Sequence, residues 1–296
     1  MQQHVPVMTG EVLEWLAPRE AGVYIDATCG LGSHTRAIAA RLGGPGGLVV
    51  SNDRDAESLE MARRSIVETP ERIRFTVGPF STLVARWKEM GLGLAQGLVA
   101  DLGVSRYQLT TPERGMTFMA DGPLDMRMDR SQGETAADVC NYSSELELAN
   151  LIYEFGEERR SRQIARAIAN GRPVTTTGQL CRLITQVTPR TSRTIAPETK
   201  TFQALRIAVN HELDEIKDLM AALPQLVGPG GRVVTISFHS LEDRILKQHF
   251  QALGRSGQAL VLTKHVVAPT DEEVRRNPPS RSAKLRCIQM AMDEEE

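Results

Sequence analysis

The segment Tyr24-Ile-Asp-Ala-Thr-Cys-Gly-Leu-Gly-Ser-His34, followed at strand–helix–strand distance by Asn52-Asp-Arg-Asp55, constrains this chain more than any other feature. An apolar strand runs into a glycine turn, a helix follows, and a second strand ends on a carboxylate. Glycine lets backbone approach a ligand closely, and an acid ending the second strand can accept hydrogen bonds from both hydroxyls of a ribose. The pattern points to a nucleoside cofactor. A dinucleotide fingerprint has a third glycine in Gly-x-Gly-x-x-Gly, where this chain has Thr35. Asp26, ahead of the glycines, suits a cationic or zwitterionic ligand better than a pyrophosphate. S-adenosylmethionine carries an ammonium and a sulfonium and fits that description, with Asp26, Gly30, Gly32 and Asp53 as expected contacts.

The first hundred residues alternate strand and helix. The pattern predicts a leading helix over Thr9–Leu16 and strands over Gly22–Ala27, Leu48–Asn52, Ile73–Val77 and Gly97–Ala100. Helices are expected between them, over Ser33–Leu42, Ala56–Glu68 and Ser81–Met90. Such spacing implies parallel βαβ units with right-handed crossovers. The pattern then breaks. Residues 108 to about 138 read as a long loop, and three helices are expected after it, the first capped by Ser144-x-x-Glu147. A polar connector runs from Pro189 to Glu198. One long helix over Thr201–Ala222, a glycine-proline turn over Gly228–Gly231, a strand over Arg232–Phe238, a helix over Leu241–Leu253 and a closing antiparallel pair complete the chain. The expected architecture is α/β: a Rossmann-like seven-stranded class I methyltransferase sheet carrying an inserted helical domain. Its discontinuous part is residues 1–107 with 200–296, and the insertion is 108–199.

Composition limits the function classes. With 41% hydrophobic and 24% charged residues, the 296-residue chain reads as a globular protein, without a run of about 18 apolar residues for a membrane span. The N-terminus lacks the pattern of a secretory signal, so cytoplasmic localisation is expected. Cys29, Cys140, Cys181 and Cys287 have neither metal-ligand nor disulfide-framework spacing. No ligand cluster suggests a metal. The net charge of −2 hides ten Lys or Arg between Arg159 and Arg206, against the single acid Glu198. A second basic cluster is Arg275, Arg276, Arg281, Lys284 and Arg286, balanced elsewhere by acids including the Glu294–Glu296 tail. Such patches suit a polyanion, or are solvated helix faces.

In open α/β sheets the ligand lies beyond the carboxyl ends of the strands. Phe80 after the third strand, Asp101 after the fourth and His239 after the fifth join the cofactor residues there. Phe80 could cover an adenine or belong to the core, Asp53 could cap the following helix, and His239 could be a satisfied turn histidine. In the loop Glu113–Asp129, Arg114, Asp125 and Arg127 could hold the loop by ion pairs or grip phosphate and base.

Seven blocks then match a known pattern in order: Asp101-Leu-Gly-Val-Ser105, Glu113-Arg-Gly115, Asp121-Gly-Pro-Leu-Asp-Met-Arg-Met-Asp129, Phe155-Gly-Glu-Glu-Arg159, Thr201-Phe-Gln-Ala-Leu-Arg-Ile207, Ile236-Ser-Phe-His-Ser-Leu-Glu-Asp-Arg244 and Arg281-Ser-Ala-Lys-Leu-Arg286. With His4-Val-Pro-Val-Met8, the chain resembles the ribosomal RNA small subunit methyltransferase H family, also called MraW, over nearly its whole length. The resemblance implies S-adenosylmethionine-dependent methylation of N4 of a cytidine in the decoding region of bacterial 16S ribosomal RNA. It places cofactor contacts on Gly32, Ser33, His34, Asp53, Phe80, Asp101 and Gln108. Two departures stand out. Ser33 replaces a glycine, which would strain the turn if that position had positive φ. Arg106-Tyr107 replaces Ser-Pro, removing a proline that would stiffen the loop before Gln108.

The amino nitrogen of cytosine is a poor nucleophile, and acceptors on its hydrogens help it attack. Asp101, with Ser105 or a nearby carbonyl, is the expected acceptor. Methylation at C5 would need a cysteine nucleophile beside the base, and Cys29 sits in the cofactor turn instead. The surrounding RNA would be held by Arg159, Arg160, Arg166, Lys200, Arg206, His239, Arg281 and Lys284, with Arg114, Asp125 and Arg127 as further candidates. A same-fold methyltransferase of DNA or another RNA, or a non-catalytic cofactor-dependent RNA-binding or assembly protein, are the alternatives. A nicotinamide dehydrogenase fits least, given Asp26 and Thr35.

Overall fold

The computed structural model describes residues 6–188 and 197–292. His4 and Val5, the connector residues 189–196 with Arg190 and Arg193, and the Glu294–Glu296 tail lie outside the described residues. In chain order, the first elements are α1 (Thr9–Leu16), β1 (Val23–Asp26), α2 (Ser33–Ala39), β2 (Leu48–Asp53), α3 (Ala56–Ser65), β3 (Ile73–Val77), α4 (Leu83–Glu89) and β4 (Ala95–Asp101). Helices follow: α5 (Arg106–Thr110), α6 (Ala136–Tyr142), α7 (Glu145–Gly156), α8 (Ser161–Asn170), α9 (Thr177–Val187), α10 (Pro197–Asn210) and α11 (Glu212–Leu226). The chain closes with β5 (Val227–Ser237), α12 (Ser240–Arg255), β6 (Ala259–Val261), α13 (Asp271–Arg276) and β7 (Lys284–Met290).

Two compact units result, one formed by the residues up to Gly103 with those from Leu213 onward, the other by Val104–Glu212. The helical unit therefore starts four residues earlier than the sequence reading placed it and takes in α10 as well.

In the first unit the described residues form one sheet of order β3-β2-β1-β4-β5-β7-β6. Strands β1 to β5 pair in parallel, and β7 runs antiparallel to both β5 and β6. The strands read as continuous apolar runs because both faces are covered. Ile25, Leu48, Val50, Leu98 and Ala100 point to one side, against α4, α11 and α12; Tyr24, Val49 and Val99 point to the other, against α1 and α2. That alternation is the period-two geometry of a strand, and helices on both faces are what parallel crossovers require. The expected turn at Gly228–Gly231 is instead part of β5. It bulges out where β4 pairs Ala95 with Val227 and then Gly97 with Arg232.

The helical unit has its own core, in which Leu148, Ile152, Ile164, Ile168, Leu180, Ile184 and Leu205 are fully buried. The Ser144–Glu147 capping box forms as the spacing predicts, opening α7. A second box, Thr176–Gln179, opens α9. The loop expected over 108–138 contains more structure than its composition suggests, since α5 covers its start and α6 its end. The single helix expected over Thr201–Ala222 is two, α10 and α11, broken at His211, whose φ of 50° is left-handed. No glycine or proline marks this break. Within the helical unit it is held by Asn210, whose side chain donates to the Met126 carbonyl and accepts the Met128 amide, each at 2.8 Å.

Candidate active site

The turn after β1 is built by backbone that only glycine adopts without strain. Gly30 and Gly32 have φ of 51° and 82°, and a side chain at Gly32 would run into Ile66 at 2.6 Å. Ser33 is the first residue of α2 and is not among the positive-φ positions. The left-handed residue is its neighbour, so the substitution at 33 carries none of the expected strain.

Asp53, at the end of β2, closes on this turn. Its Oδ2 accepts the Gly30 amide at 2.7 Å and its Oδ1 accepts the Asp55 amide at 2.9 Å. Capping of α3 falls to Asp55, which accepts from Glu57 and Ser58. Asp53 is therefore not the helix cap, and its remaining lone pairs face a glycine turn. Burial pushes its carboxyl up to about 6 despite the two amides, with Asp55 and Asp26 adding to the rise.

Asp26 lies beneath the turn, fully buried. It accepts the Thr35 hydroxyl at 2.6 Å and the Thr28 amide at 3.2 Å. Burial raises its pKa, against the pull of His34 and of the two threonines. Asp26, expected as a cofactor contact, thus braces the turn through Thr28 and Thr35. The threonines were missed from sequence. Thr28 holds β4 as well, its hydroxyl accepting the Asp101 amide at 2.6 Å. Thr35 sits where a dinucleotide fingerprint would have glycine, and that departure was the available signal.

Asp101 ends β4 with its Oδ2 3.3 Å from His34 Nε2. His34 is buried in the first turn of α2, and its Nδ1 has no hydrogen-bond partner among the described residues; neither does Asp101 Oδ1. Phe80 follows β3, half-buried against the core on the α4 side. Asp53, His34 and Asp101 are brought together with the glycine turn at the carboxyl ends of β1, β2 and β4, the switch point of the sheet order. Left-handed glycines, acceptors converging on them and two buried polar atoms without partners fit a cationic nucleoside such as S-adenosylmethionine. Asp53 would take its ribose, and the acidic surroundings would favour its positive charge.

Other expected site residues are engaged elsewhere. Gln108 and Ser105 form a reciprocal cap on α5: the Ser105 amide donates to Gln108 Oε1 at 2.8 Å, and Ser105 Oγ accepts the Gln108 amide at 3.2 Å. This box orders the Arg106-Tyr107 segment without the missing proline. Arg114 is 1% exposed, and its Nη2 donates to the carbonyls of Arg127 and Met128, so it is a strut of its own loop. Asp125 grips Arg127 with both oxygens at 2.8 and 3.0 Å, an ion pair within the loop. Arg206, half-buried, makes a paired contact with Glu212 at 2.7 and 2.8 Å. Lys200 donates to the Glu157 carbonyl at 3.0 Å. His239 caps α12 and lies 3.2 Å from Glu242 Oε1. Arg159, Arg160, Arg166 and Arg281 are exposed; Lys284 is partly so, 3.8 Å from Asp243.

The sheet order, with β7 antiparallel, and this glycine–carboxylate site define a class I S-adenosylmethionine-dependent methyltransferase. Residues 1–291 match the MraW methylase family. A ribosomal RNA small subunit methyltransferase H from Solibacter usitatus (strain Ellin6076) is 53% identical over 287 residues, 97% of this chain and 99% of the relative. Its counterpart from Koribacter versatilis (strain Ellin345) is 49% identical over 291 residues, 96% and 93% of the two chains. The chain belongs to the MraW methylase family.

Proposed function

We propose that this enzyme transfers a methyl group to N4 of a cytidine in the decoding region of 16S ribosomal RNA, with Asp101 as the acceptor for the amino group. The observation that carries the reading is Asp101 itself: a carboxylate at the end of β4, held through its amide by Thr28, with one buried oxygen that has no partner among the described residues. The relatives named for small-subunit ribosomal RNA supply the substrate class.

When bound, the cofactor supplies an electrophilic methyl carbon whose bonding electrons return to sulfur. Asp101 Oδ1 would accept a hydrogen from the cytosine amino group, drawing its lone pair out of conjugation for in-line attack. The nitrogen gains the methyl and a positive charge, which the carboxylate faces until the extra proton passes to water. Asp53 and the glycine turn would fix the ribose, and Asp26 would brace that turn through Thr28 and Thr35. Chemistry at C5 is disfavoured by Cys29, which is 4% exposed and whose thiol burial pushes far above its usual range. The target base must leave its helix, and Arg159, Arg160, Arg166, Arg281 and Lys284 would hold the surrounding backbone.

The test is transfer from labelled cofactor to naked 16S ribosomal RNA, small subunits, a DNA duplex and an unrelated RNA in competition. The reading expects label only in the ribosomal substrates. Preferential labelling of DNA or unrelated RNA would replace the substrate, and cofactor binding without transfer to any of them would argue for a non-catalytic RNA-binding protein.

A further inference from the structure

Asp101 needs more than its place on β4 to present one oxygen to a substrate. Its main-chain amide is fixed by Thr28, and among the described residues the carboxylate's neighbour at ion-pair distance is His34. The imidazole is 5% exposed and sits among three acids from three elements: Asp101 after β4, Asp26 on β1 and Glu273 on α13. Glu273 is itself held, accepting the Met8 amide at 2.7 Å. Burial works against charge on the ring, but the three carboxylates outweigh it and hold its pKa above the ordinary histidine range. The ring's Nε2 faces Asp101 Oδ2 at 3.3 Å, in acidic surroundings that favour its charged form.

We infer that His34 is a positioning residue for methyl transfer: it holds Asp101 by Oδ2 and leaves Oδ1 directed at the target amino group. The inference rests on the reading of Asp101 as that group's acceptor. The 3.3 Å contact lacks the alignment of a hydrogen bond, and such contacts in a ligand-free site tighten when the reacting complex assembles. The role differs from a general base. A charged ring has no lone pair for the amino proton, which leaves through Asp101 to water. Holding Asp101 acts on the transfer step at saturating cofactor, separately from the share of His34 in cofactor affinity.

Single-turnover rates at saturating cofactor and ribosomal substrate, from pH 6 to 9.5, separate these roles. Positioning by a cation predicts a wild-type rate that falls as pH rises through the His34 pKa. His34→Leu should lose roughly 10²-fold in transfer rate at pH 7 with cofactor saturating, beyond any change in its cofactor Kd. His34→Gln keeps a donor near Nε2 without charge, so it should recover part of the rate and lose the alkaline limb. A rate that rises through the same limb would make His34 a base and overturn the inference. So would unchanged transfer with weakened cofactor binding. If His34→Leu fails to fold, the wild-type profile and His34→Gln still decide. Asp101→Asn run alongside separates the two claims. A wild-type rate in that variant overturns the Asp101 reading, whereas a slow Asp101→Asn with a fast His34→Leu overturns only the role of His34.

Discussion

Asp53 accepts the Gly30 amide at 2.7 Å, so the carboxylate expected to take the ribose is tied to the glycine turn that shapes the same pocket. Its pKa of about 6 makes this link sensitive to pH. Above 6 the group is a carboxylate with lone pairs for two hydroxyls; below it the added proton removes an acceptor. Cofactor affinity should therefore be full above pH 6 and weaken as pH falls through it, approaching tenfold per pH unit. Calorimetric titration of cofactor between pH 5 and 8 checks this. Asp53→Asn should bind weakly and without that pH dependence.

Ser33 tests the geometry of the turn. Because the left-handed conformation falls on Gly32, restoring glycine at 33 relieves nothing. Ser33→Gly should leave cofactor affinity within about twofold and lower stability by up to about 1 kcal/mol, through backbone entropy at the start of α2. A large gain in affinity would show that position 33 is strained after all.

Arg114 should behave as a structural residue. Arg114→Leu strands the carbonyls of Arg127 and Met128 in a buried loop, for an expected loss of about 2–4 kcal/mol in urea unfolding. RNA affinity per folded molecule should stay close to wild type. Normal stability with lost RNA binding would return Arg114 to the interface.

Arg159, Arg160 and Arg166 are the exposed cations of the helical unit expected to meet phosphate. Charge reversal at all three should weaken binding of ribosomal RNA and reduce the slope of log affinity against log salt by up to about 2, at about 0.7 per phosphate contact on single strands. The contribution of Arg166 is discounted by its 3.2 Å contact with Glu145. An unchanged slope would move the RNA elsewhere.

The sheet was legible because parallel strands buried on both faces are written as apolar runs between glycine and proline punctuation, and β3 and α1 fall on their expected residues. The break at His211 was not, since it depends on Asn210 bonding to backbone eighty-odd residues away in sequence. The site divided in the same way. Strand-end position was enough to expect Asp53 and Asp101 near the glycine turn, and there they lie, Asp53 bonded to Gly30 and Asp101 beside His34. The bracing by Thr28 and Thr35, and the approach of Glu273 to His34, are tertiary and leave no local pattern. Basic residues were the least legible class, because Arg114 looks the same in sequence as Arg159 until burial separates a strut from a surface cation.

The central claim is the atom methylated. Small subunits from cells lacking this activity, treated with the enzyme and labelled cofactor, should yield on nucleoside analysis N4-methylcytidine from one position in the decoding region, and no label after Asp101→Asn within the time of a wild-type turnover. Label recovered as 5-methylcytidine, or as a ribose methyl, would contradict the account, because neither product needs an acceptor for the amino group at the end of β4.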